Sequence, residues 1–404
     1  NTQPGDPSMK RICFTLLTTL FCAGLNAQSS DAAKTGVQPE FGFVLDAIAI
    51  NSDAEGTTAD LRMAELSVSS RIDPLGRAFA ILEFPSAEEV HIPEAVMVFD
   101  GLGDGWEIRA GRSLLDFGKW NTTHMHDLPT PNADPVRTAL FGGALSGTGL
   151  EVHRWWAQGD TPIRFSFGAW PSVGAHSHSA HGHEEEHGHG GSGITSGVDG
   201  PMSLSDWSFS GRLASQMDFG ANGWWQWGLS CFSSQQGLAG EWHNEDNVGT
   251  GEEEEGEAFG LGARTFGVDL SLRTNSLGDE GWNSFTLEYW RHLQDGAHAE
   301  GVGVTDYEIE EGEELQGAWL TAEHGFSKSW SGGAHAAWWE ESHEEGEPLE
   351  TALRYGIFIN RHFSEFQRLR FSLEQLEEPD EEPSQVLSIQ WSTFLGKHRH
   401  GLDW

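Results

Sequence analysis

Arg368-Leu369-Arg370-Phe371-Ser372-Leu373-Glu374 alternates polar and apolar residues without a break. Successive side chains of a β-strand point to opposite faces, so this stretch builds one charged face and one apolar face. The same period of two recurs elsewhere. Phe285, Leu287 and Tyr289 alternate with Ser284, Thr286 and Glu288; Ile163, Phe165 and Phe167 alternate with Arg164 and Ser166; Leu387, Ile389 and Trp391 alternate with Ser388, Gln390 and Ser392. No stretch holds a helical period of 3.6. About sixteen such segments follow one another, starting near Phe43, Leu61, Arg77, Glu94, Trp106, Leu150, Ile163, Trp207, Trp224, Phe259, Trp282, Leu315, Trp330, Ala352, Arg368 and Val386.

The connections carry as much information as the strands. Short turns rich in Gly, Asp, Pro or Asn alternate with long irregular segments: Asp73-Pro74-Leu75-Gly76 and Gly220-Ala221-Asn222-Gly223 are short, whereas residues 117 to 148, 172 to 206, 237 to 258 and 294 to 314 are long. Short turns on one side, long loops on the other and an even strand count predict a transmembrane antiparallel up-and-down β-barrel. A soluble sandwich or propeller has no reason to send its long loops to one end. Trp106, Trp207, Trp224, Trp282 and Trp330 fall at strand ends, where the aromatic girdles of such barrels meet the interface.

Composition excludes other classes. The 404 residues hold 62 Asp plus Glu against 23 Lys plus Arg, so a nucleic-acid binder is not expected. Three Cys cannot make a disulfide framework, and aromatic residues at 11% speak against disorder. No phosphate loop or nucleophile motif appears, so no enzyme is expected. After residues 1–8, Met9 opens a pattern of Lys10 and Arg11, an apolar run from Ile12 to Ala23 and small-residue cleavage geometry at Ala27, which reads as a secretory signal peptide. Lipidation at Cys22 is disfavoured by Phe21 beside it. The expected layout is a leader at 1–27, an N-terminal linker at 28–40, a barrel at 41–396 and a tail at 397–404.

Charge separates along the barrel axis. Residues 174–206, 237–258, 294–314, 340–350 and 377–383 hold 32 acids and not one Lys or Arg, which predicts an acidic outer rim. The polar faces of the strands carry Arg109, Arg112, Arg164, Arg212, Arg264, Arg273, Arg354, Arg368 and Arg370, with Glu288 and Glu374 among the carboxylates of similar register. These residues are expected to line the pore. They either set a transverse field across water or neutralise one another in the wall.

Two segments carry metal-ligating chemistry. The long connection after the fifth strand stands where porins fold a loop inward, and it contains His124, His126 and Asp127. Imidazole and carboxylate at this spacing either share one divalent cation or pin the loop to the wall. In the 172–206 loop, His176, His178, His181, His183, His187 and His189 surround Glu184, Glu185 and Glu186. Such a tract gathers Zn²⁺, Ni²⁺, Cu²⁺ or Co²⁺ weakly, without a rigid cage and without a required cofactor.

The run Ala110-Gly111-Arg112 leading into Asp116-Phe117-Gly118-Lys119, then His124-Met125-His126-Asp127-Leu128-Pro129, the His-rich loop and the Gly396-Lys397-His398-Arg399-His400 tail resemble a porin-like family known as zinc-regulated TonB-dependent outer-membrane receptors. More distantly the chain resembles phosphate-selective porins. The resemblance implies an integral outer-membrane channel linked to zinc or another divalent metal. Residues 28–40 leave no room for a plug or an energy-coupling segment, so passive diffusion is expected. The expected surroundings are outer-membrane lipid and lipopolysaccharide, with divalent cations or small solutes as permeants and a homotrimer as the candidate assembly. An anion-selective porin using the lumen arginines and a metal-storage β-protein without a pore are the two alternatives.

Overall fold

The computed structural model describes residues 38–54, 56–86, 89–176, 195–196, 203–244, 254–275, 281–298, 308–310, 312, 314–341, 349–379 and 382–396. The segment read as a leader, most of the His-rich tract and the tail with Trp404 lie outside them. Sixteen long strands form a closed antiparallel barrel. In chain order they begin with β1 (Glu40–Ser52), β2 (Gly56–Asp73), β3 (Gly76–Ser86), β4 (Glu89–Phe99), β5 (Trp106–Leu114), β6 (Ala144–Gln158) and β7 (Thr161–His176). After a two-residue strand β8 (Thr195–Ser196) come β9 (Ser208–Asp218), β10 (Gly223–Asn244), β11 (Glu254–Asn275) and β12 (Trp282–Gln294). Two short strands, β13 (Gly296–His298) and β14 (Glu308–Glu310), precede β15 (Glu314–Ser327), β16 (Trp330–Glu341), β17 (Glu350–Ser364), β18 (Gln367–Glu377) and β19 (Ser384–Gly396). The ring closes where β1 pairs with β19, from Gly42 opposite Gly396 to Ser52 opposite Val386. Closure gives each of the sixteen long strands a neighbour on both sides, which a wall in lipid requires.

Period-two alternation sorts the side chains as the sequence predicts. On β11, Phe266, Val268, Leu270 and Leu272 are exposed on the outer face, while Thr265, Asp269 and Ser271 are buried inward. On β18 and β19, Leu373, Leu387, Ile389 and Trp391 point out, and Arg370, Ser372, Glu374, Ser388, Gln390 and Ser392 point in. An apolar outside with a polar inside is the reverse of a soluble protein.

Tryptophan has two uses. Trp282 opens β12 at the inward parity of Glu288 and Trp290, under Arg273 at 4.5 Å, whereas Trp106 and Trp330 open β5 and β16 on the outer face beside short turns, each with a guanidinium over its ring: Arg154 at 5.0 Å and Arg361 at 4.9 Å. The outer pair suits an interface where one side of the indole is wet. Trp170, Trp290, Trp319 and Trp339 instead sit within strands, buried and facing inward. The girdle accounts for Trp106 and Trp330 but not for the inward rings.

The segment read as a loop from 237 to 258 is largely ladder. β10 and β11 are each 22 residues long and stay paired from Gly223 opposite Thr274 to Asn244 opposite Glu254. Backbone pairing continues beyond the alternating stretch because main-chain hydrogen bonds do not depend on which side chains the strand carries. Inside the 294–314 segment, β13 pairs with β14, and His298 pairs in parallel with His243 of β10.

Candidate functional site: the inward loop and its anchors

The connection from Leu115 to Gly143 folds into the lumen and packs against the inner wall. Its helix α1 (Pro135–Phe141) starts because the Asp134 side chain accepts the backbone N–H groups of Val136 and Arg137 at 3.0 and 3.3 Å, with Pro135 in the first turn. It stops at Gly142, whose left-handed φ of 73° suits glycine. Loop residues Leu115, Phe117, Met125, Leu128, Val136, Leu140 and Phe141 are buried in one apolar cluster with the inward Trp170, Trp290, Trp319 and Trp339. The inward tryptophans thus form a core between loop and wall. Phe117 stacks on Trp290 with centroids 4.5 Å apart, and Phe141 meets the same ring edge-on at 5.8 Å.

Glycines make room for that core. Gly118 has φ +74°, and a Cβ there would stand 2.5 Å from the Trp290 ring. A Cβ at Gly267 would stand 1.9 Å from the same ring. The indole therefore lies over the bare backbone of β11 and under the loop. Beside it, Glu288 of β12 accepts the backbone N–H groups of Lys119 and of Trp120, the latter at 3.0 Å.

The loop is fastened to the opposite arc as well. Arg62 of β2 donates to the Pro131 carbonyl, Arg368 to the His126 carbonyl, and Arg370 to the Leu128 carbonyl at 2.7 Å. The Asn132 amide donates to Glu374 at 2.9 Å. The three arginines satisfy carbonyls of buried loop residues, and the half-buried Asn132 amide also reaches Ser388 at 3.4 Å.

The most concentrated contact is at His124. Its ring is buried among three inward carboxylates from three consecutive strands. Nδ1 lies 3.2 Å from Glu65 Oε2 and 3.1 Å from Glu83 Oε1, and Nε2 lies 3.3 Å from Glu94 Oε2. Glu65 and Glu83 are direct cross-strand partners on β2 and β3. His126 Nδ1 stands 3.8 Å from the same Glu65 oxygen, and its Nε2 is 3.6 Å from Asp127 Oδ2. Burial opposes a charge on the His124 ring, but Glu65, Glu83 and Glu94 together hold its pKa well above the ordinary value. Ligand atoms of Glu65, Glu83 and His124 all fall within 4.8 Å of one another, a spread that one metal ion spans.

The sequence reading left His124, His126 and Asp127 either sharing a single cation or pinning the loop to the wall. The structure brings the two imidazoles together, with ring centroids 5.8 Å apart, but Asp127 faces the other nitrogen of His126, so the three do not converge. The carboxylates that do converge, Glu65, Glu83 and Glu94, lie 30 to 59 residues upstream. Their signal was a run of acidic residues at inward positions of consecutive strands, where a polar lumen face is unremarkable. His176 ends β7, and His178, His181, His183, Glu184, Glu185, Glu186, His187 and His189 lie outside the described residues.

Most of the predicted pore residues do face inward, and they are paired. Arg109 bonds Glu107 at 2.7 Å, Arg164 bonds Asp116 at 2.8 Å, and Arg354 bonds Glu374 at 2.6 Å. Arg212 grips Asp269 with two bonds of 2.6 and 2.9 Å. Arg370 is held by Asn360 at 2.8 Å and Gln390 at 3.2 Å besides the loop carbonyl. Arg273 is occupied by the Trp282 ring. Arg112 donates to Ser146 at 3.0 Å, but it pairs across the ladder with the exposed Ala95 and Thr148, so its register sets it on the outer face rather than in the lumen. Arg264 is a correction: it is exposed and shares the outward parity of Phe266 and Val268, so it stands on the outer surface rather than in the lumen. It stands midway along β11, opposite Leu293 near the long-loop end of the shorter β12.

No protein-family model matches the chain, and no curated protein matches it. Solved structures do. The chain is similar to outer-membrane expressed OmpT of Vibrio cholerae, with TM-score 0.55 and 9% identity over 91% of this chain and 99% of that one. It is similar to an anion-selective porin from Comamonas acidovorans, with TM-score 0.53 and 12% identity over 89% and 100%. Salmonella typhi OmpF, in a complex with daunomycin, gives TM-score 0.52 and 10% identity over 90% and 99%. At these identities the likeness speaks for architecture, and the chain has the barrel fold of outer-membrane porins.

Proposed function

We propose that the protein is an integral outer-membrane channel for passive diffusion, with the long-loop end outside the cell and the loop from Leu115 to Gly143 as its constriction. The observation that carries this is the loop itself, clasped inside a closed barrel whose outer face is apolar and whose inner face is polar. A storage protein without a pore has no use for an apolar exterior around a polar lumen. A TonB-coupled receptor is built on about 22 strands around a plug domain, whereas here one connecting loop narrows sixteen strands.

The acidic rim favours small cations, divalent metals among them, and the His-rich tract adds weak Zn²⁺ ligands at the mouth. The inward arginines weigh against anion selectivity of the arginine-driven kind, because Arg109, Arg164, Arg212 and Arg354 are already neutralised by carboxylates. A homotrimer is the assembly expected, on the analogy of the trimeric form of Vibrio cholerae OmpT. Planar-bilayer recording tests the reading. Discrete conductance steps with a cation-selective reversal potential under a KCl gradient, shifted toward neutrality by Zn²⁺, are expected; absence of conductance overturns the channel, and an anion-selective potential overturns the cation preference.

A further inference from the structure

We propose that Glu65, Glu83 and His124 form a binding site for one Zn²⁺-class divalent cation that fastens the constriction loop to the barrel wall. The geometry of the ligand atoms is the first argument. Zinc bonds to imidazole nitrogen and carboxylate oxygen are about 2.0–2.2 Å, and a tetrahedron of that radius has edges of about 3.3–3.6 Å. The edges from His124 Nδ1 to Glu65 Oε2 and Glu83 Oε1 are 3.2 and 3.1 Å, and His126 Nδ1 stands 3.8 Å from the Glu65 oxygen, within reach of the fourth position.

Orientation of the imidazoles is the second argument. A metal-bound histidine commonly donates its other ring N–H to a carboxylate, which fixes the tautomer. His124 Nε2 faces Glu94 Oε2 at 3.3 Å, and His126 Nε2 faces Asp127 Oδ2 at 3.6 Å, so both rings turn Nδ1 toward Glu65. Glu94 is in turn held by the backbone N–H of Leu114 at 3.4 Å. Glu94 and Asp127 are positioning residues in this scheme.

The third argument is electrostatic. Carboxylates directly opposite each other on neighbouring strands repel, and Glu65 and Glu83 are such a pair, both fully buried. A divalent ion between them offsets that repulsion. Mixed nitrogen and oxygen donors in this number suit Zn²⁺ or Co²⁺ better than Ca²⁺ or Mg²⁺, which take six or more oxygens.

Binding can be read without conductance, so its failure and that of the channel reading are separable. Detergent-solubilised full-length protein, stripped with EDTA and dialysed against Co²⁺, should show visible d–d absorption of a low-symmetry N/O site and retain one tight equivalent. That equivalent should vanish in Glu65→Gln and His124→Gln, while weak binding by the His-rich tract persists. Glu94→Gln should lower the tight affinity roughly 10–100-fold, the usual cost of losing such an orienting partner. Folding of each variant is read from heat-modifiable migration on gels. Wild-type protein with neither Co²⁺ bands nor a tight equivalent overturns the proposal, as does a folded Glu65→Gln variant that keeps both.

Discussion

The constriction loop is held at two places by opposite physics. At its start, Phe117 and Gly118 lie on Trp290, and Glu288 takes two backbone N–H groups, so the anchor is an aromatic core sealed by hydrogen bonds. Further along, His124 enters a nest of wall carboxylates. The first anchor is set by shape and needs nothing from solution. The second depends on what neutralises three buried acids, a proton or a cation. One loop thus has a fixed end and a conditional one.

The largest effect should come from breaking the fixed end. Trp290→Ala removes the ring that Phe117 and Phe141 pack on, and a buried aromatic-to-alanine change costs about 3–5 kcal/mol. Lower thermal stability on heat-modifiability gels and a noisier, larger single-channel conductance are expected; unchanged conductance would show that the loop does not narrow the pore. The conditional end should respond next. Chelation with EDTA should loosen the loop in wild-type protein and leave His124→Gln unaffected, measured as protease cleavage between residues 120 and 132. Equal cleavage rates in both, with and without chelator, would erase the difference between the anchors.

Smaller effects separate the rest of the clasp. Asn132→Ala loses the bond to Glu374, a change of about 1.5–3 kcal/mol for a hydrogen bond to a charged group. It should shift the melting temperature downward without altering metal content. Lys119, beside the fixed end, has its pKa pushed down to about 8, first by burial and then by Arg212. Between about pH 8 and the ordinary lysine value near 10.4 the unfolded chain binds more protons than the folded one, so this group makes the fold more stable as pH rises. Loss of its charge should also raise cation selectivity across pH 8. Lys119→Met should flatten that step in the reversal potential, and a step that survives in the variant belongs to another group.

Much of the wall was legible in the sequence. Alternation in stretches such as Arg368 to Glu374 states which side chains face lipid, and fifteen of the sixteen expected start points fall inside a long strand, with Trp207 one residue before β9. Turn chemistry supplied the up-and-down order. The site was only half legible. His124 and His126 stood out because closely spaced histidines are rare, whereas Glu65, Glu83 and Glu94 look like any inward polar residue until strand register sets them side by side. Register is a long-range property, fixed here by bulges near Asp46 and between Ile81 and Glu83 that no local pattern announces. The inward tryptophans hid for a similar reason: periodicity gives the face of a strand but not what a distant loop lays against it.

Mechanically, a barrel wall is a hoop, and this loop is a chord across it. It ties β2, β3 and β4 at His124 to β12 at Glu288 and to β18 through Arg368, Arg370 and Glu374. A hoop with a chord resists becoming oval along the chord and stays compliant only across it. The cross-section of the barrel should therefore breathe along one axis, the one that runs across the loop.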